Sequence, residues 1–178
     1  MRLSGFAAIA IIFASPPVLA QAQPTQQPAA VNDVDEFAST AAQNNLTEVL
    51  LSTMALQKTT DKRVQDYAWT MLDHHARATG DLAEALSPGA AALPTEPNAE
   101  QQATVQRMGQ MNGTQFDQAF FDYQLQAHQR AVSLFEQGGR LSDEAVARYA
   151  RATLPVLRAH LEITQLKQSE PPQPMPGQ

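Results

Sequence analysis

The chain has 178 residues, 43% of them hydrophobic, a formal charge of −6, four histidines and no cysteine. An acidic balance without a basic cluster argues against nucleic acid and anionic lipid surfaces as partners. Lack of cysteine excludes thiol chemistry and disulfide staples, so a buried core alone must hold the fold, and a chain of this length can bury one.

Residues 1–20 read as a removable secretory signal. Arg2 supplies the positive start, Phe6 to Ala14 is an apolar run too short to span a bilayer, and Val18-Leu19-Ala20 or Ala20-Gln21-Ala22 offers small residues for cleavage. No cysteine lies near the cut to take a lipid anchor. The mature chain is then about 156–158 residues, one domain by size, with a charge of −7 once Arg2 is gone. No later stretch approaches ~18 uninterrupted apolar residues, so no transmembrane segment is expected in it. Export without cysteine fits a bacterial periplasm. Residues 21–32 and Ser169–Gln178 are polar and low in complexity, the latter rich in proline, and are expected to be a linker and a tail without structure. The folded domain is thus placed at 33–168.

Between those segments apolar residues recur at the helical period, with no strand alternation. The first helix is predicted from Val34 to Lys58, with Asp33 and Glu36 at capping-box spacing. Its inner stripe includes Phe37, Ala41, Asn45, Glu48, Ser52 and Ala55. Thr59-Thr60 can cap a second helix, from Asp61 to about Leu86, with Val64, Ala68, Met71, His75 and Leu82 on one face. Ser87-Pro88-Gly89 ends it. A short helix follows at about Ala99 to Met111, with Asn98 and Gln101 at cap spacing. After Asn112-Gly113 a fourth helix, about Thr114 to Gln137, turns Phe116, Phe120, Phe121, Leu125, His128, Val132 and Phe135 inward. Gly138-Gly139 stops it in the usual C-terminal manner. Ser142, ahead of Asp143 and Glu144, starts a fifth helix to about Lys167, its stripe running through Val146, Ala150, Leu157, His160 and Thr164.

The sum is an all-α fold: two long-helix hairpins joined by a long crossover carrying a short accessory helix, a four-helix bundle. A crossover running the bundle's length makes the second and fourth helices parallel, as in ferritin-like folds. Leu50, Leu51 and Met54 lie outside the main stripe of the first helix. Either the crossover helix covers them or they form a dimer contact. Trp69 faces outward.

Glu48, His75, His128 and His160 each fall within about 40° of the centre of an apolar stripe, one per helix. Counted from the end holding the first turn they lie roughly 18, 22, 20 and 12 Å deep, so His160 is the outlier. Pro155, interior to the fifth helix, either kinks it to bring His160 level or only lets it curve. His74 lands on the flank of the second helix, half exposed. Three imidazoles and a carboxylate suit one transition metal ion such as zinc, copper or iron. They do not suit a di-iron carboxylate centre, which needs Glu-x-x-His on two helices; the residues three before the histidines are Met71, Leu72, Leu125 and Leu157. The other reading is a closed polar network of Glu48, His75 and His128 with Asp117 or Gln124 that only fixes helix register. There is no nucleophile arrangement, phosphate loop or dinucleotide fingerprint, and nothing marks the chain as an enzyme.

Several motifs carry a resemblance. Ala41-Ala42-Gln43-Asn44-Asn45-Leu46-Thr47-Glu48-Val49 resembles the first-helix signature of an exported bacterial ferritin-like family, the domain of unknown function 4142. Met71-Leu72-Asp73-His74-His75 is similar to its second-helix segment. Phe116-Asp117 with Ala127-His128, and Thr153-Leu154-Pro155-Val156-Leu157-Arg158-Ala159-His160-Leu161, resemble its last two helices. The resemblance covers residues 33–167. It implies a helical bundle exported across the inner membrane, in some cases labelled an outer-membrane protein, and no established activity. Glu48, His75, His128 and His160 match the pattern without an assigned role. Two functional expectations therefore stand: a periplasmic bundle that binds a transition metal ion in its interior, for storage, sensing or stress protection, or a non-enzymatic envelope protein. The latter would act through its surface, as a homodimer or with an envelope partner.

Overall fold

The computed structural model describes residues 33–174; the expected signal, the linker at 21–32 and the last four residues lie outside the described residues. Five helices follow one another: α1 Val34–Lys58, α2 Lys62–Ala85, α3 Ala99–Gly109, α4 Gly113–Gly138 and α5 Glu144–Ser169. No strand occurs among the described residues.

Local chemistry sets the boundaries. Asp33 caps α1, its carboxylate accepting from the Asp35 amide at 2.7 Å and the Glu36 amide at 3.4 Å. α2 is capped by Asp61, not by the threonine pair. The Asp61 carboxylate accepts from the Arg63 amide at 2.9 Å, while Thr59 belongs to the end of α1, its amide bonded to the Ala55 carbonyl. The Ser142 start fails for the same reason: Asp143, one residue on, accepts from the Ala145 and Val146 amides at 3.0 Å. An ionised carboxylate is the stronger acceptor where orphan amides need one. Asn98 and Gln101 form the expected reciprocal capping box on α3. Gly113 opens α4 at φ +54°, a conformation that favours glycine.

Gly138 is needed for space, not for a left-handed cap. Gly139 ends α4 with φ −64°, and a Cβ on Gly138 would stand 2.4 Å from the Phe37 ring. Phe37 is fully buried and edge-on to Phe135 at 5.1 Å between centroids. Gly138→Ala should therefore destabilise the domain by about 1–3 kcal/mol despite alanine's better helix propensity. Denaturant titration will check the sign.

α1 packs on α2 and α4 on α5, while α1 also meets α4, α2 meets α5, and α3 lies against α1 and α4. Two apolar clusters result. One gathers Phe37, Ala41, Leu82, Leu134, Phe135 and Val146. The other, toward the α1–α2 turn, gathers Leu51, Val64, Met71, Met108, Phe116 and Phe120. Leu51 is thus core, and Met54 packs half-buried against the same cluster beside α3, which favours cover by the crossover; Leu50 is 45% exposed. Trp69 is exposed, as expected.

The proline-rich C-terminal stretch differs from expectation in its first part. Helix α5 includes Ser169. Arg63 Nη1 donates to the Lys167 carbonyl at 2.9 Å and also to that of Glu170, and the Lys62 amide donates to the Gln173 carbonyl at 2.7 Å. Arg63 is itself buried and paired with Asp61 at 2.7 Å. A fork of guanidinium donors at a helix C-terminus satisfies carbonyls that a proline-rich sequence cannot. The segment to Pro174 is held for that reason.

Candidate metal centre

Between the two apolar clusters lies a belt of buried polar side chains, one or two from each long helix. Asn45 and Glu48 come from α1, His75 from α2, Gln124 and His128 from α4, and His160 and Thr164 from α5. Each sits at helical spacing from its neighbour on the same face, so one turn separates two polar layers. The upper layer is histidine. His75, His128 and His160 each offer a ring nitrogen, and these nitrogens lie within 4.8 Å of one another. The lower layer is a hydrogen-bond chain: Gln124 Nε2 donates to Glu48 Oε2 at 2.6 Å, the Tyr67 hydroxyl meets Gln124 Oε1 at 3.1 Å, and it meets Thr164 Oγ1 at 2.5 Å.

The structure therefore brings together three of the four residues expected to converge. Glu48 is buried as expected, but its carboxylate is taken up by Gln124, and α1 sends Asn45 to the histidine layer in its place. Asn45 Oδ1 lies 2.9 Å from His75 Nδ1. His160 is not an outlier in depth. The C-terminal end of α5 is bound by Arg63, at the start of α2, and the Tyr67 hydroxyl meets Thr164 about one turn before that end. The His160 ring lies 5.0 Å from that of His74, 5.5 Å from that of His75 and 5.1 Å from that of His128 between centroids.

His74, expected on the flank, is part of the cluster. Although exposed, its Nδ1 lies 2.7 Å from His160 Nε2 and its ring stacks on that of His160 at 5.0 Å and 14°. All four histidines of the chain thus meet in one place. Tyr67, Met71, His74 and Ala78 recur at 4-3-4 spacing, which is the signal of a second contact face on α2, here the one turned to α5. Tyr67 carried no other sign of its role.

Hydrogen bonding fixes the tautomers. The Gln124 carbonyl, 3.0 Å from His128 Nδ1, can only accept, so that nitrogen carries the hydrogen and His128 Nε2 presents its lone pair. His160 Nδ1, 3.2 Å away, then donates to it, and His160 Nε2 accepts from His74 Nδ1. His75 donates to Asn45 through Nδ1. Its Nε2, buried, has no hydrogen-bond partner among the described residues.

Burial dominates the electrostatics. It holds the His75 imidazole well below its usual range, assisted by His128, His160 and His74, and lowers His128 to about 4 and His160 to about 3. All three are neutral at pH 7, the state in which imidazole binds metal. Burial also raises Glu48 to about 7, against the opposing Gln124 hydrogen bond. A carboxyl group with its proton held to about pH 7 thus lies one turn from three neutral imidazoles that could together hold a cation.

No curated protein matches this chain. Among solved structures, a DUF305 fragment from Deinococcus radiodurans is similar at a TM-score of 0.66 and 18% identity, over 79% of this chain and 98% of that one. A DUF305 protein from Streptomyces coelicolor is similar at 0.62 and 15%, over 74% and 90%. These likenesses are ones of helical fold. The motifs of α1, α2 and α5, the extent of the helical domain and a family profile matching residues 19–166 agree, and the chain belongs to the family described as domain of unknown function (DUF4142).

Proposed function

We propose that this protein is a periplasmic, ferritin-like four-helix bundle of two antiparallel hairpins that binds one transition metal ion between its helices, in storage, sensing or protection of the envelope. The observation that carries the proposal is the bare, buried His75 Nε2 facing two further imidazoles. A buried polar atom without a partner costs about 1–3 kcal/mol, and of the unpartnered buried atoms among the described residues this one alone is an imidazole nitrogen beside two others. An ion bound to it removes that cost.

In this reading His75 Nε2, His128 Nε2 and His160 Nδ1 are the ligands. Two donors on a tetrahedral zinc at ordinary bond lengths lie roughly 3.3 Å apart, and the His128 Nε2 to His160 Nδ1 distance is 3.2 Å. Binding would move the His160 hydrogen from Nδ1 to Nε2, and His74, open to solvent, would shift its own hydrogen from Nδ1 to Nε2 so that its Nδ1 accepts from His160. Asn45 and the Gln124 carbonyl hold the rings of His75 and His128, the usual support of metal-bound imidazole. Glu48 acts from one turn away, through Gln124, as a group that can take negative charge when a divalent ion arrives. Zinc, copper and iron all accept imidazole.

Export is supported by the leader-like N-terminus and by the description of the Streptomyces coelicolor neighbour as a candidate secreted protein. No helix of the described residues is long and apolar enough to cross a membrane. The reading as a surface-acting envelope protein is favoured by exposed Trp69, Val156, Ile163 and Leu166. His128→Leu separates the two readings. The variant should remain folded and lose the thermal shift produced by zinc, copper, iron or manganese. A wild-type protein with no shift for any of these ions removes the metal reading.

A further inference from the structure

The three candidate ligands are nearly inaccessible, with exposures of 6% for His75, 1% for His128 and 2% for His160. An ion cannot reach them without shedding most of its water in an apolar bundle, which is unfavourable unless replacement donors are met on the way. His74 is exposed, and its Nδ1 faces the outer nitrogen of His160 at 2.7 Å. His160 in turn presents its other nitrogen to His128 at 3.2 Å. The His160 ring is therefore the wall between outside and inside, with a donor on each face.

We infer that His74 is the loading ligand of this protein: it captures a hydrated divalent or monovalent transition metal ion at the surface and, with His160, passes it to the buried histidine site. The inference rests on the reading that His75, His128 and His160 hold the ion. His74 and His160 Nε2 bind first, replacing two waters. Rotation of the stacked pair opens the gap between α2 and α5, and the ion exchanges His160 Nε2 and His74 for His160 Nδ1, His128 and His75, the His160 hydrogen passing through solvent from Nδ1 to the vacated Nε2. His74 then returns to its hydrogen bond with His160. It speeds filling and emptying of the site without belonging to the final ligand set.

The test follows cobalt(II) chloride uptake by the metal-free exported protein in a stopped-flow spectrometer, with wild type, His74→Leu and His74→Gln. Glutamine can still donate a hydrogen bond to His160 but is a poor metal ligand. Both variants are expected to load at least about tenfold more slowly, reaching the same stoichiometry and the same final cobalt spectrum as wild type. Uptake by His74→Leu at the wild-type rate overturns the inference. So does a wild-type rate in His74→Gln, which would leave His74 only the task of orienting His160. A changed final spectrum would make His74 a resident ligand, again against the inference. Wild-type protein that takes up neither cobalt nor zinc defeats the underlying metal reading, a result distinguishable from the other three.

Discussion

Acidifying the metal-free protein from pH 7 to about 4 is expected to remove most of its stability. His75, His128 and His160 are held below the usual value of 6.5, the last two at about 4 and about 3. In the unfolded chain the same imidazoles take up protons as the pH falls through 6.5, while in the bundle they do not. Their contribution is thus complete above pH 6.5 and is lost as the pH drops toward the folded values. Each histidine gives a slope of about 1.4 kcal/mol per pH unit. Three of them together approach the whole stability of an ordinary domain within two to three pH units, taking that stability as roughly 5–15 kcal/mol. Glu48 opposes this, but one carboxyl group does not balance three imidazoles. Urea midpoints measured at intervals from pH 7.5 to 4 should fall steeply below 6.5. A flat profile would mean that the histidines are wet or already charged.

Glu48→Gln should act in the opposite direction and at the opposite end of the pH scale. The Glu48 carboxyl is fully desolvated, and its proton is held to about pH 7 where the ordinary value is 4.5. Its contribution is complete below pH 4.5 and is lost as the pH rises through 7, because the unfolded carboxyl ionises freely and the buried one does not. Above pH 7 the native state carries a buried charge, or forgoes ionisation, at a penalty of about 3 kcal/mol. Glutamine has the same shape, keeps a hydrogen bond to Gln124 and has no charge to desolvate. At pH 8 the variant should melt roughly ten degrees higher than wild type, with little difference at pH 4.5. Equal melting temperatures at pH 8 would place Glu48 in contact with solvent or with an unrecognised cation.

Much of this arrangement is legible in the sequence, for reasons that are themselves physical. The 3.6-residue period fixes which angle each residue takes around its helix, and Asn45, Glu48, His75, His128 and His160 are all buried, as that period requires. Helix ends were readable to within a few residues because aspartate, asparagine and glycine mark them. Axial register was not readable. It depends on contacts between residues far apart in the chain, such as Tyr67 with Gln124 and with Thr164; His160 thereby meets His128, while Glu48 meets Gln124, one turn before His128. The contact of His74 with His160 is not readable for a related reason. A wheel centred on the main apolar stripe of α2 treats its flank as surface, yet that flank is what α5 packs against. The choice of Asp61 and Asp143 over the neighbouring threonines and serine turned on acceptor strength among adjacent candidates, which spacing alone does not rank.

Metal binding here requires one ion to meet three imidazole nitrogens in a buried layer between two apolar clusters. X-ray absorption at the zinc edge, on protein loaded with one equivalent of zinc and freed of excess, tests this most directly. The expected spectrum has three imidazole nitrogens at about 2.0–2.1 Å, with one further light atom completing the shell, and it should be lost in His128→Leu. Zinc that fails to bind at one ion per chain, or binds with a shell of waters and carboxylates lacking imidazole scattering, would contradict the account.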